Sequence, residues 1–238
     1  MKQRLDQTLV VRGLVSTRSQ AESFVKLGDV KVNGKVVTKA GCLVGETDDI
    51  AVTSTERYVS RAGLKLASVA QTLGVDFKDK TVLDVGSSTG GFTDYALQHG
   101  ARKVLAVEVG TNQLHPSLHG DVRIELHEKT DIRDFKTAEH IDIAVADVSF
   151  ISLREILPSV AKMVNKNTQL VMMVKPQFEA GQSSLKHKGV IKNDKMRRDI
   201  LNDFEMWARQ KFVIIDKADS DVAGAKGNRE RFYLLKVQ

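Results

Sequence analysis

From residue 81 onward, short apolar runs alternate with amphipathic stretches, whereas residues 1–52 carry smaller and tighter patterns. Residues 81–85 (TVLDV), 104–109 (VLAVEV), 141–147 (IDIAVAD) and 168–175 (TQLVMMVK) are apolar runs of strand length. Helical patterns lie between them, one from Phe92 with Tyr95, Ala96 and Leu97 on one face, another over residues 153–164. Residues 122–126 add a strand, 194–211 a long amphipathic helix, and 213–217 and 232–237 two closing strands. Strands alternating with helices predict an α/β fold, a mostly parallel Rossmann-like sheet covered on both faces. The two closing strands, with no helix between them, predict one antiparallel edge strand. Pro158 falls inside a helical pattern and predicts a kink there.

The first 53 residues read as a separate, small α+β unit. Leu5, Leu9 and Val10 form a helical stripe closed at Gly13. A second helix is expected from Ser16 or Thr17, whose hydroxyls cap free N–H groups, and it carries Ala21, Phe24, Val25 and Leu27 to a stop at Gly28. VKVNGKVV (30–37) alternates about Asn33-Gly34, a strong hairpin signal, and Lys31, Lys35 and Lys39 are expected to line up beside it. Residues 54–60 are polar and read as a linker. Residues 61–238 form the second domain, opening with a helix that ends at Gly74, carries Leu64, Ala67 and Leu73 on its apolar side, and has Lys65 beside them.

The first candidate chemistry lies in TVLDVGSSTGGFTD (81–94), a strand, a glycine-rich turn and a helix start. Glycines let backbone N–H groups approach a ligand closely. The spacing is neither the dinucleotide G-x-G-x-x-G nor the P-loop, which needs a lysine. Glu108 ends the next strand, 24 residues beyond Asp84, where a carboxylate can take both ribose hydroxyls of a nucleoside. Together these favour S-adenosylmethionine over NAD. Asp84, Glu108, Asp147 and Lys175 all stand at carboxyl ends of strands, where open α/β sheets bind ligands. A charge following a buried apolar run must be paired or functional, so a structural ion pair and a catalytic role both fit Asp147 and Lys175.

The 238 residues are 42% hydrophobic and 28% charged, an ordinary globular balance, with a net charge of +6 that favours polyanionic partners. Only 5% are aromatic, which argues against recognition by base stacking alone. A single cysteine, Cys42, excludes an internal disulfide and a multi-cysteine zinc site, so no metal is expected. No apolar run approaches the roughly 18 residues that span a bilayer, and no secretion signal is evident. The expected location is the cytoplasm.

RLDQTLVVRGL, TRSQA and GDVKVNGKVVTKAG, over nearly all of residues 2–52, are similar to the S4-type RNA-binding domain. The resemblance implies a grip on structured RNA, with contacts at Arg4, Arg12, Arg18, Lys31 and Lys35. YVSRAGLKL, VLDVGSSTGGFTD, IAVADVSFISLREILP, VMMVKPQFEAG, KGVIK and GNRERF resemble the TlyA (hemolysin-A-like) family, in which an S4-type domain precedes an FtsJ-like ribose 2′-O-methyltransferase domain. By that resemblance the catalytic tetrad falls on Lys65, Asp147, Lys175 and Glu230, with Lys175 nearest the 2′-hydroxyl. The S-adenosylmethionine site is implied to include Gly86, Ser87, Ser88, Gly90, Phe92, Thr93, Glu108 and Val109, with Asp131 and Ile132 near the adenine. The implied partner is ribosomal RNA or a ribosomal subunit. The chain departs from the family pattern over residues 111–119 (TNQLHPSLH), at Glu108, where Asp is more usual, and at Asp131, where Asn is. Two other classes compete. One is an RNA-binding protein with a vestigial catalytic domain, which the altered segment keeps open. The other is a membrane-lytic protein, against which the lack of a strongly apolar amphipathic stretch argues.

Overall fold

A computed structural model describes residues 2–15, 18–52, 58–180, 190–191, 193–224 and 227–238. The chain divides into two compact units, 1–57 and 58–238.

In the first unit, β1 (Gln3–Arg4) leads into α1 (Leu5–Val11), followed by α2 (Arg18–Leu27), β2 (Val30–Val32), β3 (Lys35–Val36), β4 (Leu43–Val44) and β5 (Ile50–Val52). Strands β3, β2 and β5 form one antiparallel sheet and β1 pairs with β4. Leu5, Leu9, Ala21, Val25, Val30, Val44 and Ile50 make the core, so the helical stripes read from the sequence face inward. Asn33 and Gly34 have φ of +51° and +77°, the doubly left-handed turn that matches strand twist in a two-residue hairpin. Lys31 pairs with Val36 and Val32 with Lys35. Since successive strand residues face opposite ways, Lys31 and Lys35 lie on opposite faces of the hairpin and do not line up. The expected caps Ser16 and Thr17, and linker residues 54–57, lie outside the described residues.

The second unit contains α3 (Arg61–Ala70), β6 (Thr81–Val85), α4 (Gly91–Gln98), β7 (Lys103–Val107), β8 (Ile124–His127), β9 (Ile143–Ala146), α5 (Leu153–Ala161), β10 (Gln169–Val174), α6 (Pro176–Glu179), α7 (Asp194–Ala208), β11 (Phe212–Asp219) and β12 (Arg231–Val237). The sheet order is β11-β12-β10-β9-β6-β7-β8. Strands β10, β9, β6, β7 and β8 are mutually parallel, and β12 runs antiparallel to both its neighbours. The antiparallel strand therefore sits one place in from the edge, with β11 outside it. Helix α5 continues through Pro158.

Strand alternation sorts the core into two layers. Leu83, Val85, Ala144, Ala146, Met172, Val174 and Tyr233 pack with α5 and α7. Val82, Ile143, Val145, Val171, Met173, Phe232 and Leu234 pack with α3 and α4. By the same two-residue period, Asp84, Asp147, Lys175 and Glu230 belong to the α3/α4 face at or just beyond the strand ends. Four charged positions scattered along the sequence thus converge on one corner of the sheet.

Candidate active site

The parallel register places Val85, Val107 and Ala146 side by side, so the residues after each strand open on a common edge. There the chain turns through Gly86 (φ +76°) and Gly90 (φ +87°) before α4 begins. A Cβ on Gly90 would stand 2.6 Å from Leu118 Cδ1 and 2.7 Å from Leu114 Cδ1; one on Gly86 would stand 3.3 Å from the Asp147 carbonyl oxygen. Glycine is required here by both conformation and space. Ser88 (φ +46°) and Phe150 (φ +67°) are non-glycine residues held left-handed at the same edge, a concentration of strain found at functional sites.

The Glu108 carboxylate, buried at the end of β7, accepts the Ser88 N–H at 2.9 Å and the Gly110 N–H at 2.7 Å. Gln113, within the segment that departs from the family pattern, accepts the Ser88 hydroxyl at 3.0 Å and so ties that segment to the glycine turn. His115 N–H donates to the Thr89 carbonyl at 3.1 Å, and Leu114 and Leu118 pack beneath Gly90. The altered segment 111–119 thus buttresses the glycine turn.

A cleft of about 440 Å³ is lined by Gly86, Ser88, Glu108, Val109, Asp131, Ile132 and the Asp147–Ile151 loop, among others. A smaller cavity of about 150 Å³ adjoins it, sharing Gly86, Ser88, Asp147 and Ser149, and adds Asp84, Ser87, Phe92 and Lys175. Of the expected cofactor residues, Gly90 and Thr93 line neither space: Gly90 makes the turn and Thr93 supports Asp84. The Asp131 carboxylate is chelated by Arg133 at 2.6 and 2.9 Å, which holds it below the usual carboxylate range.

Asp84 is the anomaly of the site. Its Oδ2 accepts the Thr93 hydroxyl at 2.7 Å, whereas Oδ1 is buried with no hydrogen-bond partner among the described residues. Burial, reinforced by the nearby Asp147 and Glu108 charges, pushes its carboxyl up to about 7. An orphaned acceptor beside a small cavity is the complement of a ligand's ammonium group. The two adjoining spaces, with an acidic group in each and apolar side chains at Val109 and Ile132, offer a lining of the kind that S-adenosylmethionine requires.

The four tetrad positions form two ion pairs. Lys175 Nζ lies 2.6 Å from Asp147 Oδ1, and Lys65 Nζ, from α3, lies 2.5 Å from Glu230 Oε2. All four side chains are at most 17% exposed. Val174 pairs with Arg231, so the residues one step beyond, Lys175 and Glu230, leave the sheet at the same end. Lys175 also donates to Ser149 Oγ at 2.8 Å. The loop carrying Ser149 is clamped by Glu179, whose carboxylate accepts the Ser152 hydroxyl at 2.6 Å and the Leu153 N–H at 2.8 Å; burial pushes the Glu179 carboxyl up.

In the first unit, Arg4 and Arg18 converge on the carboxylate of Asp6, at 2.8 and 3.0 Å. The side chain of Asp6 is wholly inaccessible, and Arg4 pulls its carboxyl down to about 2. Arg12 donates to the carbonyls of Asp48, Gly45 and Glu46 at 2.8–3.1 Å, which ties the 45–48 loop to the end of α1. Among the described residues no helix is long and apolar enough to cross a membrane, and no cluster of side chains could hold a metal ion.

Comparison with known proteins identifies the family of both units. The FtsJ-like methyltransferase family matches residues 58–237, and the S4 domain matches residues 3–50. The chain is 42% identical over 180 residues to the 23S rRNA (cytidine-2'-O)-methyltransferase TlyA of Campylobacter jejuni, covering 75% of this chain and 70% of that one. It is 38% identical over 232 residues to Hemolysin A of Brachyspira hyodysenteriae, covering 95% and 97%. A solved structure of a candidate hemolysin from Streptococcus thermophilus superimposes with a TM-score of 0.77 at 36% identity, covering 100% of this chain and 89% of that one. With its glycine turn, acidic second strand and paired lysines all in place, the chain belongs to the TlyA (hemolysin A) family of FtsJ-like methyltransferases that carry an N-terminal S4 domain.

Proposed function

We propose that the protein transfers a methyl group from S-adenosylmethionine to the 2′-oxygen of a ribose, that of a cytidine in ribosomal RNA, working in the cytoplasm on RNA held by its S4 unit. The observation that carries the reading is the meeting of the cofactor-sized cleft with a cavity whose wall includes Lys175, itself paired to Asp147. When bound, the cofactor supplies an electrophilic methyl group on sulfur. Glu108 would hold its ribose, Asp84 its ammonium, and the glycine turn its amino-acid portion.

Lys175 is the nitrogen positioned to hold the substrate's 2′-oxygen and receive its proton. That step needs the amine neutral, its ammonium proton passed to solvent first, and Asp147 then pairs with the ammonium that re-forms. Glu230 and Lys65 neutralise each other beside this centre, so neither leaves an uncompensated buried charge. Alignment does much of the remaining work, since buried ion pairs fix side-chain positions before substrate arrives. Arg4 and Arg18, with Lys31 or Lys35 according to which hairpin face meets the RNA, supply phosphate contacts that give affinity and salt sensitivity, with Arg12 bracing the 45–48 loop.

The test is transfer of labelled methyl from S-adenosylmethionine to purified ribosomal subunits, comparing wild type with Lys175→Ala. Label in RNA with wild type alone is expected, with ribose methylation then mapped to a nucleotide. Equal labelling by both would remove Lys175 from the reaction. No labelling by wild type, despite RNA binding, would favour the vestigial reading.

A further inference from the structure

Lys175 Nζ has three hydrogen-bonding directions besides its carbon. Ser149 Oγ, at 2.8 Å, accepts a hydrogen bond along one of them. Asp147 Oδ1, 2.6 Å away, is an ion-pair partner that lies off the hydrogen-bonding directions. Asp147, Ser149 and Lys175 line the same cavity of about 150 Å³, so a direction of the amine not engaged by Ser149 can face a ligand there. An ion pair alone lets a lysine head group rotate about its terminal bond; a hydrogen bond in a defined direction fixes it. We propose that Ser149 is a positioning residue for methyl transfer, holding the Lys175 amine so that a free direction faces the 2′-oxygen. This rests on the reading of Lys175 given above.

The loop around Ser149 is built to hold one hydroxyl in place. Asp147, at its start, is tied to β6 by its N–H, which donates to the Val85 carbonyl at 3.2 Å. Phe150, which follows Ser149, has φ of +67°, and its largely exposed ring lies 5.4 Å from that of Phe178 between centroids. Three residues further on, Glu179 fixes Ser152 and Leu153. Phe178 and Glu179 belong to α6, the short helix that immediately follows Lys175. The serine and the lysine are therefore clamped to each other's segments from both sides.

The experiment compares wild type, Ser149→Ala and Ser149→Thr, with Lys175→Ala as the control. Single-turnover methyl transfer to ribosomal subunits is measured at saturating S-adenosylmethionine, with cofactor and RNA affinities determined separately by calorimetry and filter binding. A third readout needs no cofactor: the ¹⁵N-lysine spectrum of the free protein, in which the Lys175 amine is assigned by its loss in Lys175→Ala and its proton exchange is measured. Ser149→Ala is expected to slow the single turnover about ten-fold, the equivalent of one hydrogen bond to a charged group, and to speed Nζ proton exchange. Both affinities should stay within about two-fold, and Ser149→Thr should restore rate and exchange together.

An unchanged rate in Ser149→Ala, or unchanged exchange, overturns the proposal. A rate loss matched by an equal loss of cofactor affinity also overturns it, because Ser149 would then be a pocket wall. Failure of the wild type to transfer any methyl would instead overturn the reading of Lys175 on which the proposal rests.

Discussion

Replacing Asp84 by Asn tests the assignment of the small cavity most directly. The carboxyl titrates near 3.8 in an open chain and about 7 in the folded protein, because burial and the neighbouring Asp147 and Glu108 disfavour its charge. Between those values the folded state holds one proton more than the unfolded state, so stability falls as pH rises through that window and is fully lost above 7. A shift of this size corresponds to roughly 4 kcal/mol at the plateau, of which somewhat more than half falls between pH 5 and pH 8. Asn cannot ionise, keeps the shape, and retains an oxygen for the Thr93 hydroxyl. Trp207, the single tryptophan, packs against Phe204 and Phe212, so urea unfolding followed by its fluorescence reports the second unit. The stability of Asp84→Asn relative to wild type should rise by roughly 2–3 kcal/mol from pH 5 to pH 8. At pH 8, where wild-type Asp84 is ionised and complements an ammonium, the variant should also bind S-adenosylmethionine more weakly. Parallel stability curves would refute the buried-carboxyl argument, and unchanged affinity would refute the ammonium site.

Gly90→Ala forces an L-residue to φ +87° and drives its Cβ against Leu114 and Leu118; the conformation alone costs roughly 1–2 kcal/mol. A measurable drop in the melting temperature of the second unit and weaker cofactor binding should appear together. Glu108→Ala removes the acceptor for the Ser88 and Gly110 N–H groups and should weaken cofactor affinity at least ten-fold by calorimetry, an effect that a purely structural carboxylate would not produce without unfolding. Asp6→Asn releases Arg4 and Arg18 from their shared anchor. Because the Asp6 carboxyl is held down at about 2, it stabilises the first unit above about pH 4 and that contribution fades as pH falls toward 2. Hydrogen exchange in residues 2–52 should show this acid loss in wild type and not in the variant, and filter binding should show weaker, less salt-sensitive RNA binding by the variant.

Much of the candidate site was legible because the alternation of strands and helices is written in the sequence. The apolar runs predicted the parallel sheet, and ligand chemistry at strand ends directed attention to Glu108, Asp147 and Lys175. Glu230 was visible only through family resemblance: nothing local distinguishes it from Arg229 and Arg231 until β12 is paired with β10 and its even-numbered residues turn toward α3. Ser149, Gln113 and Glu179 fall inside stretches that the sequence singled out, but nothing local distinguished them from their neighbours there, because their roles come from partners that only the fold supplies. Lys31 and Lys35 were misread in the other direction. Their spacing suggests a row, but the hairpin register puts them on opposite faces.

The sequence by itself determined the elements, their alternation and the glycine turn, because these depend on local conformational preference and on which side chains must leave water. It also determined which charged residues end a buried strand, where desolvation demands a partner. The tertiary structure alone decided the partners: Lys65 with Glu230, Lys175 with Asp147 and Ser149, and none for one oxygen of Asp84. Those pairings join residues up to 165 positions apart (230 − 65), and they follow from register and helix placement, which no local pattern encodes.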